Sequence, residues 1–296
     1  MTIANQATSQ RKLARAVELH NSGQLDEAAH VYERLVAHAA KAWEPRYLLG
    51  LLRFQQGAFA AAQRLLQDAT RLDARHADGW FYLGETLVEQ GRPQEAETAY
   101  AKASTDAHPH AMACFKRAML LEARDASAEA QSAYRAALKA KPEFAEALNN
   151  LGRLLHNAGH TSEAEALLRR ALELRHDFEA AYINLARLLG EHDGRLSIEV
   201  LQSGVQACPA SGDLHFDLAI RLAAGGERNA AVAHYEQALA LNPDHAEAYS
   251  NIGVLFLEEG FTDEARACFE RAIALKPNLV EASNNLGNVL TQLEQY

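Results

Sequence analysis

The amino-acid sequence predicts an all-α fold in which antiparallel helix pairs repeat along the chain. Short strings of nearly the same residues recur, small residues stand at a fixed spacing, and glycine and proline recur at two further places in each repeat. Self-similarity with a period of about 20–50 residues is the sequence signature of a repeat architecture. The recurring strings are ALNNLGRLL (147–155), AYINLARLL (181–189), AYSNIGVLF (248–256) and ASNNLGNVL (282–290).

The small residues recur every 34 residues, with one slip of a single residue. Two antiparallel helices reach the short end of the usual spacing of about 8–10 Å only where the residues between their axes are small. Aromatic residues of the second helix are expected to fill the core beside them. The small positions are Ala16, Gly50, Gly84, Ala118, Gly152, Ala186, Ala219, Gly253 and Gly287, and the aromatic residues are Tyr32, Tyr100, Tyr134, Tyr235 and Phe269.

Glycine and proline predict where the helices end. A glycine recurs seven residues after the small position, where a left-handed turn would end the first helix of a unit. A proline recurs where the second helix should stop. No sustained alternation of polarity predicts a strand. The glycines are Gly23, Gly57, Gly91, Gly159, Gly226 and Gly260, and the prolines are Pro142, Pro209, Pro243 and Pro277.

These positions divide the chain into three parts. Residues 1–8 are expected to be a disordered segment, residues 9–279 to form eight helix pairs, and residues 280–296 to form the first helix of a ninth pair or a capping helix. The pairs are expected to start at about residues 9, 43, 77, 111, 145, 179, 212 and 246.

The order of leucine and a small residue, then glycine, alanine, an aromatic residue, alanine and proline resembles the tetratricopeptide repeat family. The resemblance covers residues 9–296. It implies a right-handed superhelical solenoid of helix pairs whose first helices line a concave groove. The fold hosts many roles, so function has to be argued from the groove itself.

Two stretches depart from the family pattern. The sixth unit, residues 179–211, is one residue short, and Ser197 stands where alanine is expected. A local change of superhelical pitch and a tolerated deletion in a surface turn both account for it. The last stretch predicts a first helix without a second, whereas repeat arrays usually close with a polar capping helix. We favour continuation in a longer parent protein over a helix that serves as its own cap.

The composition excludes several classes of function. Of 296 residues 48% are hydrophobic, so disorder is not indicated, and the net charge of −10 argues against a phosphate backbone as the main partner. Residues 1–10 lack the apolar core of a signal peptide, and no run of about 18 apolar residues predicts a membrane span. The three cysteines lack the short spacing of metal sites and are interpreted as reduced, buried thiols. We expect a cytoplasmic protein that binds neither nucleic acid nor membrane.

The sixth residue of each unit is the first candidate for contact with a partner, because the resemblance places it in the groove. Four asparagines and one aspartate occupy its last five places, although asparagine is a poor residue for a helix interior. An amide matches the alternating N–H and C=O groups of an extended peptide; the alternative is that it bonds the neighbouring repeat. From the second unit onward this column consists of Leu48, Tyr82, Lys116, Asn150, Asn184, Asp217, Asn251 and Asn285.

Aromatic and charged side chains extend this candidate surface. The residues before the column are aromatic in units two to four, and they are candidate anchors for recognition. Burial against the adjacent helix is the alternative for them. In units five and six, asparagine and arginine are the further candidates, so we expect an aromatic part of the groove followed by a polar, partly positive part. These residues are Tyr47, Phe81, Phe115, Asn149, Arg153 and Arg187.

The Asn column also resembles the substrate-binding repeats of O-GlcNAc transferases and related bacterial glycosyltransferases, where asparagines in the same context bind the substrate backbone. Asp217, Lys116 and Tyr82 depart from that pattern. The resemblance implies a substrate-selecting module, and nothing in the chain resembles a sugar-nucleotide site. The matching positions are Asn150, Asn184, Asn251 and Asn285.

No motif of enzyme chemistry accompanies the repeats. The chain lacks a phosphate-binding glycine loop, a nucleophile elbow and an HExxH helix. His156 and His160 have a spacing that one helix uses for a metal, but no third ligand is evident, so neither a metal nor a cofactor is expected.

Three hypotheses follow for the function of these residues. The first is a non-catalytic scaffold that holds a protein or extended peptide in its groove. The alternative is the substrate-recognition N-terminal module of a larger O-GlcNAc transferase-like glycosyltransferase. A third is a structural scaffold that self-associates through its C-terminal helix.

Overall fold

The computed structural model describes residues 3–105 and 108–294, and in this part of the chain it contains 17 helices and no strand. The all-α prediction is therefore confirmed. None of these helices has the length and apolar composition that a bilayer span needs.

We call the first helix of each pair an A helix and the second a B helix. The A helices are α1 (Ile3–Asn21), α3 (Glu44–Gln55), α5 (Ala77–Glu89), α7 (Ala111–Glu122), α9 (Ala145–Asn157), α11 (Glu179–Gly190), α13 (Gly212–Ala224), α15 (Ala246–Glu258) and α17 (Val280–Glu294). The B helices are α2 (Leu25–His38), α4 (Phe59–Leu72), α6 (Pro93–Ala103), α8 (Ser127–Ala140), α10 (Thr161–Leu174), α12 (Gly194–Ala207), α14 (Arg228–Leu241) and α16 (Thr262–Leu275).

The chain divides into two halves, residues 1–147 and residues 148–296. In each half, A helices pack against the B helices that follow them, and B helices pack against the next A helices. Neighbouring A helices also contact each other, as α3 contacts α5 in the first half and α11 contacts α13 in the second. The A helices of a half therefore form one layer.

The start of the chain differs from the expectation. Residues 3–8, expected to be disordered, lie in α1, and residues 1 and 2 fall outside the described residues. This segment contains neither glycine nor proline. Because extending an existing helix costs far less than nucleating one, the part of α1 that packs on α2 allows the helix to continue toward the N-terminus.

The A–B turns use left-handed residues as the glycine pattern predicts. All six recurring glycines have positive φ, between 72° and 86°, and Asp125 takes the same position in the fourth unit with a φ of 61°. The short sixth unit has no such residue in its turn. Instead, the Asp193 carboxylate accepts hydrogen bonds from the backbone N–H groups of Arg195 and Leu196 and caps α12.

Close approach of A and B helices accounts for the small residues. A Cβ added at Gly152 would lie 2.8 Å from Cγ of Leu168, and one added at Gly253 would lie 2.8 Å from Cε1 of Phe269. The five aromatic residues of the B helices are at most 2% exposed. Full burial of each such side chain stabilises the fold by about 1.5–3 kcal/mol. Ser197, in place of alanine, is also buried and donates its hydroxyl to the carbonyl of Ala186.

Candidate partner-binding site

The A helices present stripes of side chains spaced four, three and four residues apart, a spacing that places them on one helix face. We call the stripes of α3, α5 and α7 the first-half A face and those of α9 to α17 the second-half A face. The first-half A face consists of Glu44, Leu48, Leu51, Gln55, Asp78, Tyr82, Glu85, Glu89, Met112, Lys116 and Met119. The second-half A face includes Asn150, Arg153, Asn184, Arg187, Asp213, Asp217, Asn251 and Asn285.

Contacts between neighbouring A helices show that the stripes of the first half share one surface. The Lys116 ammonium on α7 lies 3.3 Å from Oε2 of Glu85 on α5. The Tyr82 ring on α5 lies 6.1 Å from the ring of Phe54 on α3, measured between centroids.

The asparagines of the second-half A face are half-buried and bond other side chains of the repeats. The amide of Asn184 donates to Oδ1 of Asn149 across 2.9 Å, linking α11 to α9. The amide of Asn251 donates to the Tyr235 hydroxyl across 3.1 Å, linking α15 to α14. Both bonds fit the alternative in which asparagine stabilises the stack. Each amide keeps its carbonyl oxygen and its second N–H, so these contacts do not exhaust its hydrogen-bonding capacity.

Asn149 differs from the expectation that it contacts a partner. Its side chain is 4% exposed and lies under the face, where it donates to Oδ1 of Asn150 and accepts from Asn184. The physical reason is its register, because it holds the same place in its unit as Phe81 and Phe115, which point toward packed neighbours. Asn149 therefore orients the two column asparagines beside it.

Asp217 takes the column position of the seventh unit. Burial raises the pKa of its carboxyl group, while the nearby Arg187 and Arg221 oppose that shift in pKa. Within the described residues the carboxylate forms no hydrogen bond and no ion pair. A half-buried carboxylate without a donor favours a donor from elsewhere.

The remaining predicted residues of the second-half A face are also accessible. Asn150, Arg153 and Asn285 are half-buried, and Arg187 is exposed. Arg187 lies on the same stripe as Asn184, one helical turn further along α11. The structure thus places polar and positively charged groups on one face, and Asn149 is the predicted residue that does not belong to it.

The three predicted aromatic anchors pack against the start of the next unit. The ring centroid of Tyr47 lies 4.4 Å from that of His76, and the ring of Phe81 stacks on that of His110 at 5.1 Å. Phe115 similarly contacts Phe144 at 4.8 Å. These contacts match the alternative of burial against the adjacent helix. All three rings remain half-buried.

Tyr82 is the aromatic residue whose position in the column puts it on the first-half A face. Its ring touches Phe54 and Tyr47 and stays half-buried. Burial raises the pKa of the Tyr82 hydroxyl, and the carboxylates of Asp78 and Glu85 raise this pKa further. The neutral Tyr82 hydroxyl therefore lies in negatively charged surroundings.

Histidines cap several A helices, a role that the repeat pattern alone does not predict. Nδ1 of His76 accepts the N–H of Gly79, and Nδ1 of His110 accepts the N–H of Ala113. His245 caps α15 in the same way. The recurrence of histidine just before the start of a unit is the sequence feature that indicates this capping role. Ser211 takes this role in the seventh unit, where serine is a common cap.

His156 and His160 do not lie on one helix. His156 belongs to α9 and lies 3.4 Å from Oε1 of Glu191, whereas His160 precedes α10. In the described part of the chain, no group of three or more His, Cys, Asp or Glu side chains is placed to hold a metal ion.

Models of tetratricopeptide repeats match most of the chain. One described as tetratricopeptide repeat matches residues 13–62 and 47–111, and another with the same description matches residues 120–189. A model described as TPR repeat matches residues 221–260 and 255–293. No curated protein matches the chain.

Solved structures with similar folds are also repeat proteins. A tetratricopeptide repeat protein from Parabacteroides merdae is 21% identical, with a TM-score of 0.59, and the match covers 84% of this chain and 98% of that one. The C-terminal part of a TPR repeat-containing protein from Cytophaga hutchinsonii is 15% identical, with a TM-score of 0.58 and coverage of 93% and 99%. A chain of the APC/C hetero-tetramer Cut9-Hcn1 is 17% identical, with a TM-score of 0.58 and coverage of 94% and 55%. This chain thus spans about half the length of that last relative. At these identities the likeness shows the fold alone, and the resemblance to glycosyltransferase repeats stays a prediction.

Proposed function

Because the chain belongs to the tetratricopeptide repeat family, we propose that it is a protein-binding scaffold that holds an extended partner segment along its A helices. The observation that supports this proposal is the row of accessible polar groups on the second-half A face. Asn184, Asp217 and Asn251 recur there at the same position of successive units.

The chemistry of this row suits an extended backbone. Asn184 and Asn251 each give one N–H to a neighbouring side chain, and each keeps a carbonyl oxygen and an N–H for a partner. The carboxylate of Asp217 between them adds acceptors. An extended peptide offers N–H donors and C=O acceptors in alternation. Such a row can therefore bind the peptide backbone with little selectivity among side chains.

The proposal assigns binding and no catalysis to these residues. The described chain consists of repeat helices and their turns, and its polar row contains amides, one carboxylate and arginines. Such groups can orient a segment, but no nucleophile with an adjacent base stands among them, as covalent catalysis would need.

The test removes the amides and measures peptide binding. Peptides of twelve residues would be selected from a random displayed library on the full chain, and the affinity of the retained ones measured by fluorescence anisotropy. We expect the triple variant Asn150→Ala, Asn184→Ala and Asn251→Ala to weaken binding about 10–100-fold, because a net hydrogen bond contributes about 0.5–1.5 kcal/mol.

The matched control removes exposed amides outside the row, with Asn229→Ala and Asn278→Ala, and should leave the affinity unchanged. Circular dichroism would establish that both variants keep their helices. The scaffold proposal fails if no peptide is retained above a surface without protein. The asparagines of the second-half A face have no role in binding if the triple variant binds every retained peptide as the wild type does.

A second candidate is the substrate-recognition module of a larger glycosyltransferase. The asparagines that precede Leu-Gly or Ile-Gly at 150, 251 and 285 support it. The reading frame of the gene decides the matter: a sugar-nucleotide domain encoded in the same polypeptide would favour this candidate over a free-standing scaffold.

Self-association through α17 is a further part of the proposal. Gly287, at the small position of α17, has no atom of another helix within 4 Å of an added Cβ, whereas Gly253 faces Phe269. Val280 and Leu290 on α17 are 62% and 43% exposed. Sedimentation at increasing concentration should show a rising mass for the wild type and a smaller rise for Leu290→Ser. A constant monomer mass would contradict it.

A further inference from the structure

We propose that the first-half A face selects a partner segment that combines apolar side chains with at least one lysine or arginine. This inference rests on the proposed function, since it names the kind of segment that one part of the scaffold takes. It is carried by the exposed apolar side chains of this face and by its charges.

The apolar part of the face comes from all three of its helices. Met112 and Met119 on α7 are 38% and 46% exposed, although most large apolar side chains of the described chain are covered. Tyr82 on α5 and Leu48 and Leu51 on α3 are the half-buried members of the same face. Methionine adapts its shape to apolar groups, and aromatic side chains commonly serve as anchors at interfaces.

The charged part of the face is mostly negative. Four carboxylates, those of Glu44, Asp78, Glu85 and Glu89, share this surface with one ammonium group, that of Lys116. Glu85 is already satisfied, because it pairs with Lys116 at 3.3 Å and accepts a hydrogen bond from the Tyr100 hydroxyl.

The other three carboxylates keep their charge available. Nδ1 of His110 accepts the N–H of Ala113, and Nε2 of the same ring lies 3.1 Å from Oδ1 of Asp78, which leaves the second carboxylate oxygen of Asp78 for a partner. Glu44 and Glu89 form no ion pair within the described residues. A cation near any one of these carboxylates gains Coulomb attraction, and near Asp78 the Tyr82 ring also offers it a π face.

On the second-half A face, two of the carboxylates are paired. Glu247 pairs with Lys276 at 2.6 Å, and Glu258 pairs with Arg228 at 3.1 Å. Arg187 adds an exposed positive charge to this face. Asp213 and Asp217 also leave negative charge on this face, so the first-half A face differs from it chiefly by the exposed side chains of Met112 and Met119.

The experiment is the selection of random twelve-residue peptides on the full chain, followed by anisotropy measurements with single synthetic peptides. We expect that one class of retained peptides carries lysine or arginine next to leucine, phenylalanine or methionine, and that this class, unlike the peptides held by the second-half A face, keeps its affinity in the triple asparagine variant. Glu44→Lys and Glu89→Lys should each weaken such a peptide about fivefold at low salt, as expected for exposed charges at a binding surface. Met119→Ser should weaken it at any salt concentration.

The matched control is Asp213→Lys, which makes the same change in the first turn of an A helix in the second half. It should alter the affinity of the basic peptide less than twofold. This inference would be overturned, and the scaffold proposal left standing, if no retained peptide were basic, or if the variants Glu44→Lys and Glu89→Lys bound the basic peptide as the wild type does. A chain that retains no peptide at all would overturn both.

Discussion

At the scale of single residues, the contact between A and B helices decides where side-chain volume is tolerated. Gly84 lies against the ring of Tyr100, so that a methyl group at Gly84 would overlap it, and Tyr100 is itself fully buried. Gly287 holds the same place in its own unit, with nothing within 4 Å. Glycine at the same repeat position is therefore required by close packing at Gly84 but not at Gly287.

We predict opposite effects on stability for the same substitution at these two glycines. Gly84→Ala should lower the free energy of unfolding by about 1–3 kcal/mol, because overpacking displaces the buried Tyr100 ring. Gly287→Ala should raise it by about 0.5–1 kcal/mol, because alanine loses less backbone entropy in a helix. Urea unfolding followed by circular dichroism measures both. A loss of stability for Gly287→Ala would mean that α17 has a covering neighbour.

Of two adjacent residues on one helix, one can pack against neighbouring side chains while the other remains available to a partner. Phe81 stacks on His110, while the adjacent Tyr82 stays on the face, and Asn149 is buried while Asn150 is not. Successive residues of an α-helix point about 100° apart, so one step along the chain separates a packed side chain from an accessible one.

At the scale of the helices, capping by histidine makes the stability of the repeats depend on pH. The unprotonated Nδ1 of His76 accepts the N–H of Gly79, and a proton on that nitrogen would remove the acceptor. Burial lowers the pKa of His76 below its ordinary value of 6.5, against the smaller opposing effect of Asp78. The folded chain thus binds this proton less readily than the unfolded chain does.

We predict that the chain loses stability as the pH falls below 6.5, and that His76→Asn reduces this loss. A lowered pKa in the folded state contributes stability that is present above the unfolded pKa and is lost as the pH falls through the folded pKa. Asparagine keeps the cap without titrating. Thermal unfolding at pH values from 7.5 to 5.0 measures the slope.

The comparison variant for this prediction is His76→Ala, which removes both the cap and the titration. At pH 7.5 it should cost about 0.5–2 kcal/mol, whereas the asparagine variant should cost little. Burial also lowers the pKa of His215 and of His234, so part of the acid sensitivity should remain in both variants. An unchanged slope in His76→Asn would contradict the assignment.

At the scale of the whole chain, stability is built from contacts between neighbouring units. Within each half, helix contacts join the two helices of a pair and link neighbouring pairs, and the buried apolar clusters are correspondingly local. In such arrays the stability is close to a sum over units and their interfaces, so a local defect weakens its surroundings first.

We predict that Gly84→Ala increases hydrogen exchange in α4 to α7 and leaves α13 to α16 nearly unchanged. The substitution disturbs the α5–α6 pair, and the neighbouring pairs lose part of their packing surface. Hydrogen exchange with mass spectrometry on peptides from each half measures this. A uniform increase over both halves would show that the chain unfolds as one cooperative unit.

Much of the fold could be predicted from the sequence because helix pairing depends on local spacing and side-chain size. The odd-numbered helices from α5 onward begin at the residues where the 34-residue spacing starts a unit. The family follows from the same positions. Tyr100, Tyr134 and Phe269 are buried as their spacing predicted. The candidate site could be predicted only in part. Asn149 and the three aromatic anchors recur at one position of their units, next to the surface column, but their side chains pack against neighbouring residues.

By itself, then, the sequence determined the all-α repeat architecture, the residues that separate its helices and the column of polar positions on the A helices. Only the tertiary structure decided which member of each adjacent pair is accessible, that Asn184 and Asn251 bond neighbouring side chains, and that Met112 and Met119 stay exposed on the first-half A face. The physical reason is that period and residue size are properties of one helix, whereas accessibility depends on what the next repeat packs against it.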